Sequence, residues 1–246
     1  EEEAIESGLV TKAIEGAQRK VEVYHFNIRK QVLEYDNVMN KQREIIYAER
    51  RKVLEGADMK ANVEQMIKRV MEDLVDQYAN PNVNRDEWDF QGLHAAAADY
   101  APLLGQLDVK EFEDCPSPEA LKTFMVEQGL DAYSAKESTM GAEMMRQIER
   151  YLMLRIIDSK WIEHLHDIDA LRDGIGLRAY GQKDPLREYQ REAYDLFQDL
   201  LKAIQHDLVK QAFHIQVVYD VPPMAPPMIH NMATFGPEGI DDQGNG

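Results

Sequence analysis

Residues 9 to 55 contain no proline, and their one glycine, Gly16, sits near the start. The apolar positions Val10, Ile14, Ala17, Val21, Tyr24, Ile28, Val32, Tyr35, Met39, Ile46 and Val53 recur mostly at steps of three and four. That spacing is one face of a helix. Ser7 is placed to cap its start and Gly56 to end it. At 1.5 Å per residue the rod is about 70 Å long. No single small core can cover a rod of that length. It must pair with another long helix, as in a coiled coil, or act as a spine for several modules.

The remaining periodicity is also helical. Residues 59 to 79 carry Val63, Met66, Ile67, Val70, Met71, Leu74 and Tyr78 at helical spacing and stop before Asn80-Pro81, because the residue before a proline avoids the α region. Asp86 to Tyr100 reads as a weak helix interrupted by Gly92, and Asp108 to Asp114 as an acidic connection. Ser117-Pro118 opens a helix, with serine as cap and proline in the first turn; Gly129 is its weak point. Residues 140 to 172 show two apolar faces, as expected of a helix packed between two neighbours. Residues 173 to 184 are a glycine-punctuated loop, and Asp184-Pro185 starts a further helix to residue 212. A short loop between two long helices makes them an antiparallel hairpin, with the spine as its natural third partner. His214 to Tyr219 alternates like a short edge strand. From Val221 the chain is rich in Pro and Met and reads as linker or disordered tail.

The expected fold class is therefore all-α. Its parts are a leading segment 1–8, the spine 9–55, a small inserted helical module 56–139, the hairpin 140–212, an extended segment 213–219 and a tail 220–246. The opening Glu-Glu-Glu-Ala-Ile, without a start methionine, reads as the interior of a longer chain.

Charge divides along the same lines. The net charge is −17. Residues 9 to 54 hold ten Lys/Arg against six Asp/Glu, whereas 55 to 140 hold seven against eighteen. A basic spine beside an acidic insert marks separate modules. The overall acidity argues against nucleic acid as a main partner. The single cysteine, Cys115, leaves no internal disulfide and no Cys-based zinc site. No apolar run approaches the length of a membrane span.

Catalytic motifs are sparse. Neither a Gly-x-x-x-x-Gly-Lys-[Ser/Thr] phosphate loop nor a Gly-x-Gly-x-x-Gly fingerprint occurs. Two Glu-x-x-His pairs, Glu22/His25 and Glu163/His166, have the spacing used by metal-binding oxidase bundles; the alternative is that they are solvated side chains on long helices. His164, His166 and Asp167 beside Trp161 could form a catalytic cluster or merely the polar edge of a helix. On the hairpin turn, Ile175, Leu177 and Tyr180 are apolar groups expected to face outward, flanked by Arg178 and Lys183. Such a tip either contacts a partner or tucks back onto the hairpin end.

Several long strings resemble the SecA family of bacterial preprotein export ATPases. They are Val10-Thr-Lys-Ala-Ile-Glu-Gly-Ala-Gln-Arg-Lys-Val-Glu22, Phe26-Asn-Ile-Arg-Lys-Gln-Val-Leu-Glu-Tyr-Asp-Asn-Val38, Gln42-Arg-Glu-Ile-Ile-Tyr47, Gly141-Ala-Glu-Met-Met-Arg146, Asp158-Ser-Lys-Trp-Ile-Glu-His-Leu165 and the stretch Leu171 to Pro185. The likeness runs in order from residue 5 to about 218. It implies that 9–55 is the long helix of a helical scaffold domain, 56–139 a helical wing domain and 140–212 a two-helix finger. It implies a finger tip at Ile175, Leu177, Arg178 and Tyr180 that meets unfolded preprotein and the SecYEG channel. It also implies coupling to motor domains through Asn27, Arg29, Asp36 and Asn37 on the spine, although the family usually has aspartate at the positions of Asn27 and Asn37. ATP and Mg would belong to motor domains outside this chain, which itself would hold no cofactor and be no enzyme alone. The family's Cys- and His-rich zinc module has no counterpart here. The implied location is the cytoplasm, peripheral to the inner membrane. A homodimer stays open, because an uncovered long stripe can also pair with itself.

Overall fold

The computed structural model describes residues 8–56, 58–175 and 184–215. Among them the regular structure is helical throughout, without a strand. The spine is α1, Gly8–Leu54, 47 residues long. Gly16 lies on an open face with nothing within 4 Å of a would-be Cβ, so its cost is limited to about 1 kcal/mol of helix propensity. Gly56 follows at φ +88°, the left-handed conformation that terminates helices at glycine.

The insert begins with α2, Met59–Tyr78, where the Asp58 carboxylate accepts from the Ala61 N–H. A 3₁₀ turn at Arg85–Glu87 precedes α3, Phe90–Tyr100. Gly92 does not interrupt α3. The Asp89 side chain caps the Gly92 N–H at 2.7 Å, and a Cβ there would stand 2.2 Å from Asp89 Oδ2 and 2.8 Å from Tyr78. The acidic connection turns out to contain a helix, α4, Val109–Glu113, opened by a reciprocal Asp108/Glu111 capping box. In α5, Pro118–Met140, Ser117 caps Ala120 as expected. Gly129 is a packing point and not a weak one: Ile67 and Met71 of α2 lie 3.1 Å from where its Cβ would be.

Gly141, at φ +84°, is the single non-helical residue between α5 and α6, Ala142–Ile175. The expected loop therefore starts too early at 173: Asp173, Gly174 and Ile175 continue α6. The last helix, α7, is Pro185–His214, capped by Asp184 on the Leu186 N–H. It is two residues longer than expected, because Phe213 is buried and Lys136 Nζ donates to the Ile215 carbonyl at 2.8 Å. Phe213 and His214 are thus helical, not extended. Residues 1–7, 57, 176–183, 216–219 and the tail 220–246 lie outside the described residues. No helix among the described residues is long and apolar enough to cross a membrane.

Helices α6 and α7 form the antiparallel hairpin, and α2 with α5 forms the matching pair in the insert. Their apolar faces share one core that includes Val63, Ile67, Val70, Met125, Leu152, Ile156, Ile204 and Leu208. A charged network lies inside it. Glu149 of α6 is fully buried; the Tyr133 hydroxyl donates to it at 2.6 Å. Arg146 lies 3.2 Å from Glu149 and donates to Glu137 of α5 at 2.8 Å. Lys60 of α2 reaches Glu137 at 2.7 Å. Burial pushes the Glu149 carboxyl above its usual range, opposed by the Tyr133 hydrogen bond and the Arg146 charge. The network joins α2, α5 and α6 across the Gly141 break. Removing one partner of a buried pair strands the other charge, at a cost of about 3–5 kcal/mol. Glu149→Ala is therefore expected to lower stability by roughly 3 kcal/mol or more in urea unfolding, with Glu149→Gln milder because it keeps an acceptor for Tyr133.

Candidate functional site: the clamp between spine and hairpin

The spine divides into two unequal environments. From Gly8 to Leu33 every described side chain is exposed. Burial starts at Tyr35 and continues at Gln42, Ile46 and Val53. These positions are spaced by seven, four and seven residues, so one narrow face of α1 meets the hairpin.

Three contacts tie that face to α6. Asp36 pairs with Arg172 at 3.6 Å. Gln42 meets His164 at 2.9 Å. Arg50 makes a two-pronged contact with Asp158, at 2.9 and 3.4 Å. Residue numbers rise along α1 as they fall along α6, so the two helices are antiparallel. The outer pairs are about half exposed and contribute little, about 0–1 kcal/mol each. The Tyr35 and Tyr189 rings pack at 4.7 Å between centroids, in a small cluster with Ile168, Ile175 and Ala193.

The middle contact is buried. The Gln42 amide donates to the Ala193 carbonyl of α7 at 2.8 Å, while its oxygen faces His164 Nε2. Gln42 Oε1 can only accept, so His164 carries its proton on Nε2. The imidazole lies between Trp161 and Phe197, at 5.5 and 5.8 Å. Burial holds its pKa below the ordinary value, which favours this neutral form. One glutamine thus binds both arms of the hairpin to the spine.

The structure separates the expected coupling residues. Asp36 belongs to the clamp. Asn37 is exposed and lines a groove of ≈ 540 Å³ between α1 and α7, with Tyr194 and Gln198. Asn27 and Arg29 are exposed on the bare half of α1 and have no place in the clamp. At the hairpin end, Ile175 is corrected: it does not face outward but is 3% exposed, packed in the Tyr35 cluster. Leu177, Arg178 and Tyr180 lie outside the described residues. Glu22, His25, Glu163 and His166 are all exposed, and the described residues contain no cluster of three or more His, Cys, Asp or Glu placed to hold a metal ion. Of the histidine cluster, His164 is buried whereas His166 and Asp167 are exposed. Gln42 and Glu149 escaped sequence reasoning. Gln42 could have been found, since it fills the gap in the stripe between Met39 and Ile46.

Residues 4–216 match the family model described as the SecA wing and scaffold domain. The match takes in nearly all of the described helices, and the chain belongs to this SecA family. The protein translocase subunit SecA of Synechococcus elongatus is 46% identical over 230 residues, 92% of this chain and 24% of that protein. Those of Carboxydothermus hydrogenoformans and Pelotomaculum thermopropionicum are 46% and 48% identical over 89% of this chain. The chain spans about a quarter of the length of these relatives.

The clamp has two measurable consequences. Gln42→Leu leaves the His164 N–H unpaired and removes the second hydrogen bond to the Ala193 carbonyl, which lies within α7, and is expected to cost about 1–3 kcal/mol in denaturant unfolding. His164 has a depressed folded pKa, so below about pH 6.5 the unfolded chain takes up a proton that the folded chain refuses. Its contribution is complete above that value and is lost as pH falls. Stability is therefore expected to decline between about pH 7 and 5 more steeply in the parent than in His164→Gln; parallel declines would remove His164 from the account.

Proposed function

We propose that this chain is the scaffold, wing and finger portion of a SecA motor, which couples ATP hydrolysis to the passage of unfolded preproteins through the SecYEG channel. On this reading α1 is the scaffold helix, α2 to α5 form the wing, and α6 with α7 form the two-helix finger. The observation that carries the proposal is the bare half of the spine. Ile14, Val21, Tyr24, Phe26, Ile28 and Leu33 are 40–64% exposed on a single helix. Exposed apolar surface on that scale marks an interaction site. In a chain spanning about a quarter of its relatives' length, the fitting occupant is the rest of the same protein, the nucleotide-hydrolysing part with its ATP and Mg.

The clamp then supplies the coupling. Motor domains seated on residues 8–33 would move α1, and the Gln42 node would carry that motion to both arms of the finger. The finger tip, with Leu177, Arg178 and Tyr180, would meet preprotein and channel on the cytoplasmic side of the inner membrane. Asn27 and Arg29 would lie in the motor contact. Transmission needs an element with two discrete positions, not merely a connecting rod.

Separately produced motor domains should bind the chain, and Phe26→Asp with Ile28→Asp should weaken that binding roughly a hundredfold in a titration. In the full-length protein, Tyr180→Ala should slow export while leaving the melting temperature unchanged, and a cysteine at 180 should cross-link to a stalled exported chain. Export at the parental rate without cross-links would count against a tip contact. A second reading, self-pairing of the bare stripe, is favoured by the same exposure. It predicts a dimer in sedimentation that Ile14→Asp converts to monomer.

A further inference from the structure

The outer edge of the spine–finger seam carries a surface that the proposed coupling does not use. Arg50 of α1 and Asp158 of α6 bridge the seam. One turn either side of Arg50 stand Tyr47 and Leu54, each 55% exposed. On α6, Ile162 follows Asp158 by one turn and Tyr151 precedes it by two; they are 56% and 61% exposed. Helical spacing places all four on the same side as the bridge. A groove of ≈ 510 Å³ opens there, lined by Tyr47, Arg50, Arg51, Leu54 and Asp158.

The charge of this surface is opposite to that of the chain. Arg43, Arg51 and Arg155 are exposed around it, and no ion pair engages them among the described residues. The carboxylate of Asp158 is occupied by Arg50. Three uncommitted guanidinium groups therefore frame an aromatic and aliphatic floor, in a chain whose net charge is −17. Arginine and tyrosine are the residue types enriched where partners bind tightly. A guanidinium fork matches a carboxylate geometrically. A long polyanion fits less well, since the chain's overall charge repels it beyond the patch.

We infer that the α1–α6 seam is a docking surface for a protein segment whose apolar anchors alternate with carboxylates. The anchors lie on Tyr47, Leu54, Tyr151 and Ile162, and the carboxylates meet Arg43, Arg51 and Arg155. This surface is independent of the finger tip and of the bare half of α1.

Fluorescence anisotropy of the 246-residue chain with a fluorescein-labelled peptide of alternating Glu and Leu tests it. The Glu/Leu peptide should bind, more tightly at low salt. A Glu-only peptide and a Lys/Leu peptide should not. The double variant Arg51→Glu, Arg155→Glu should lose roughly tenfold or more in affinity for the Glu/Leu peptide and gain affinity for the Lys/Leu peptide, a reversal that misfolding cannot produce. Tyr151→Ser, at a position 61% exposed, should weaken the Glu/Leu peptide alone. The inference is overturned if the double variant binds like the parent, if the Glu-only peptide binds equally well, or if phosphatidylglycerol vesicles bind the seam while the Glu/Leu peptide does not.

Discussion

A helix of 47 residues presents more apolar surface than any one domain can bury, and everything else in this chain follows from how that surface is shared. The hairpin covers the half from Tyr35 to Val53. The other half, from Gly8 to Leu33, is exposed at every described position. At the boundary Gln42 donates to α7 and accepts from His164 of α6, so both arms are held to one position of the spine. A flexible contact at that point would let the hairpin slide along α1; a buried, satisfied amide fixes its register, because a slip would leave the Gln42 amide and the His164 N–H desolvated and unpaired.

The second organising feature is the Glu149 network. The turn from α5 to α6 is one residue, Gly141, hydrogen-bonded through its backbone to Glu137 and Met145 but with open space where a side chain would pack. The angle is set beyond the turn, where Arg146 reaches Glu137 and Glu149 and Lys60 reaches Glu137 from α2. Buried ion pairs are poor sources of net stability, but their geometry is demanding. Such a network suits a joint whose orientation matters more than its strength. Helices α2 and α5 are thereby bound to α6 by polar contacts as well as by the shared core.

Much of this was legible in sequence because helices announce themselves locally. The caps at Ser117 and Asp184 and the stop at Gly56 act on backbone groups within a turn, and residue type and position located them; the cap at Asp58 emerged only with the structure. The family strings identified the chain for the same reason, being contiguous runs. Local signals also misled. Gly92 and Gly129 looked like breaks, yet one makes room for a capping carboxylate and the other for the approach of α2. Gly174 looked like the start of a loop, yet α6 runs through it, since a glycine costs a helix only about 1 kcal/mol and the buried Ile175 beyond it outweighs that.

From the chain of residues alone came every helix longer than α4, their order, the basic spine and acidic insert, and the hairpin. Periodicity, capping and turn chemistry are properties of neighbours in sequence, so no fold is needed to read them. Only the tertiary structure decided that the spine is half bare, that Ile175 faces inward, and that Gln42, His164 and Glu149 are buried. Those outcomes depend on residues more than a hundred positions apart meeting across α1, α6 and α7, or on which of several polar side chains a closing core encloses. Neither composition nor spacing contains that information, because burial belongs to the assembled surfaces and not to any one segment.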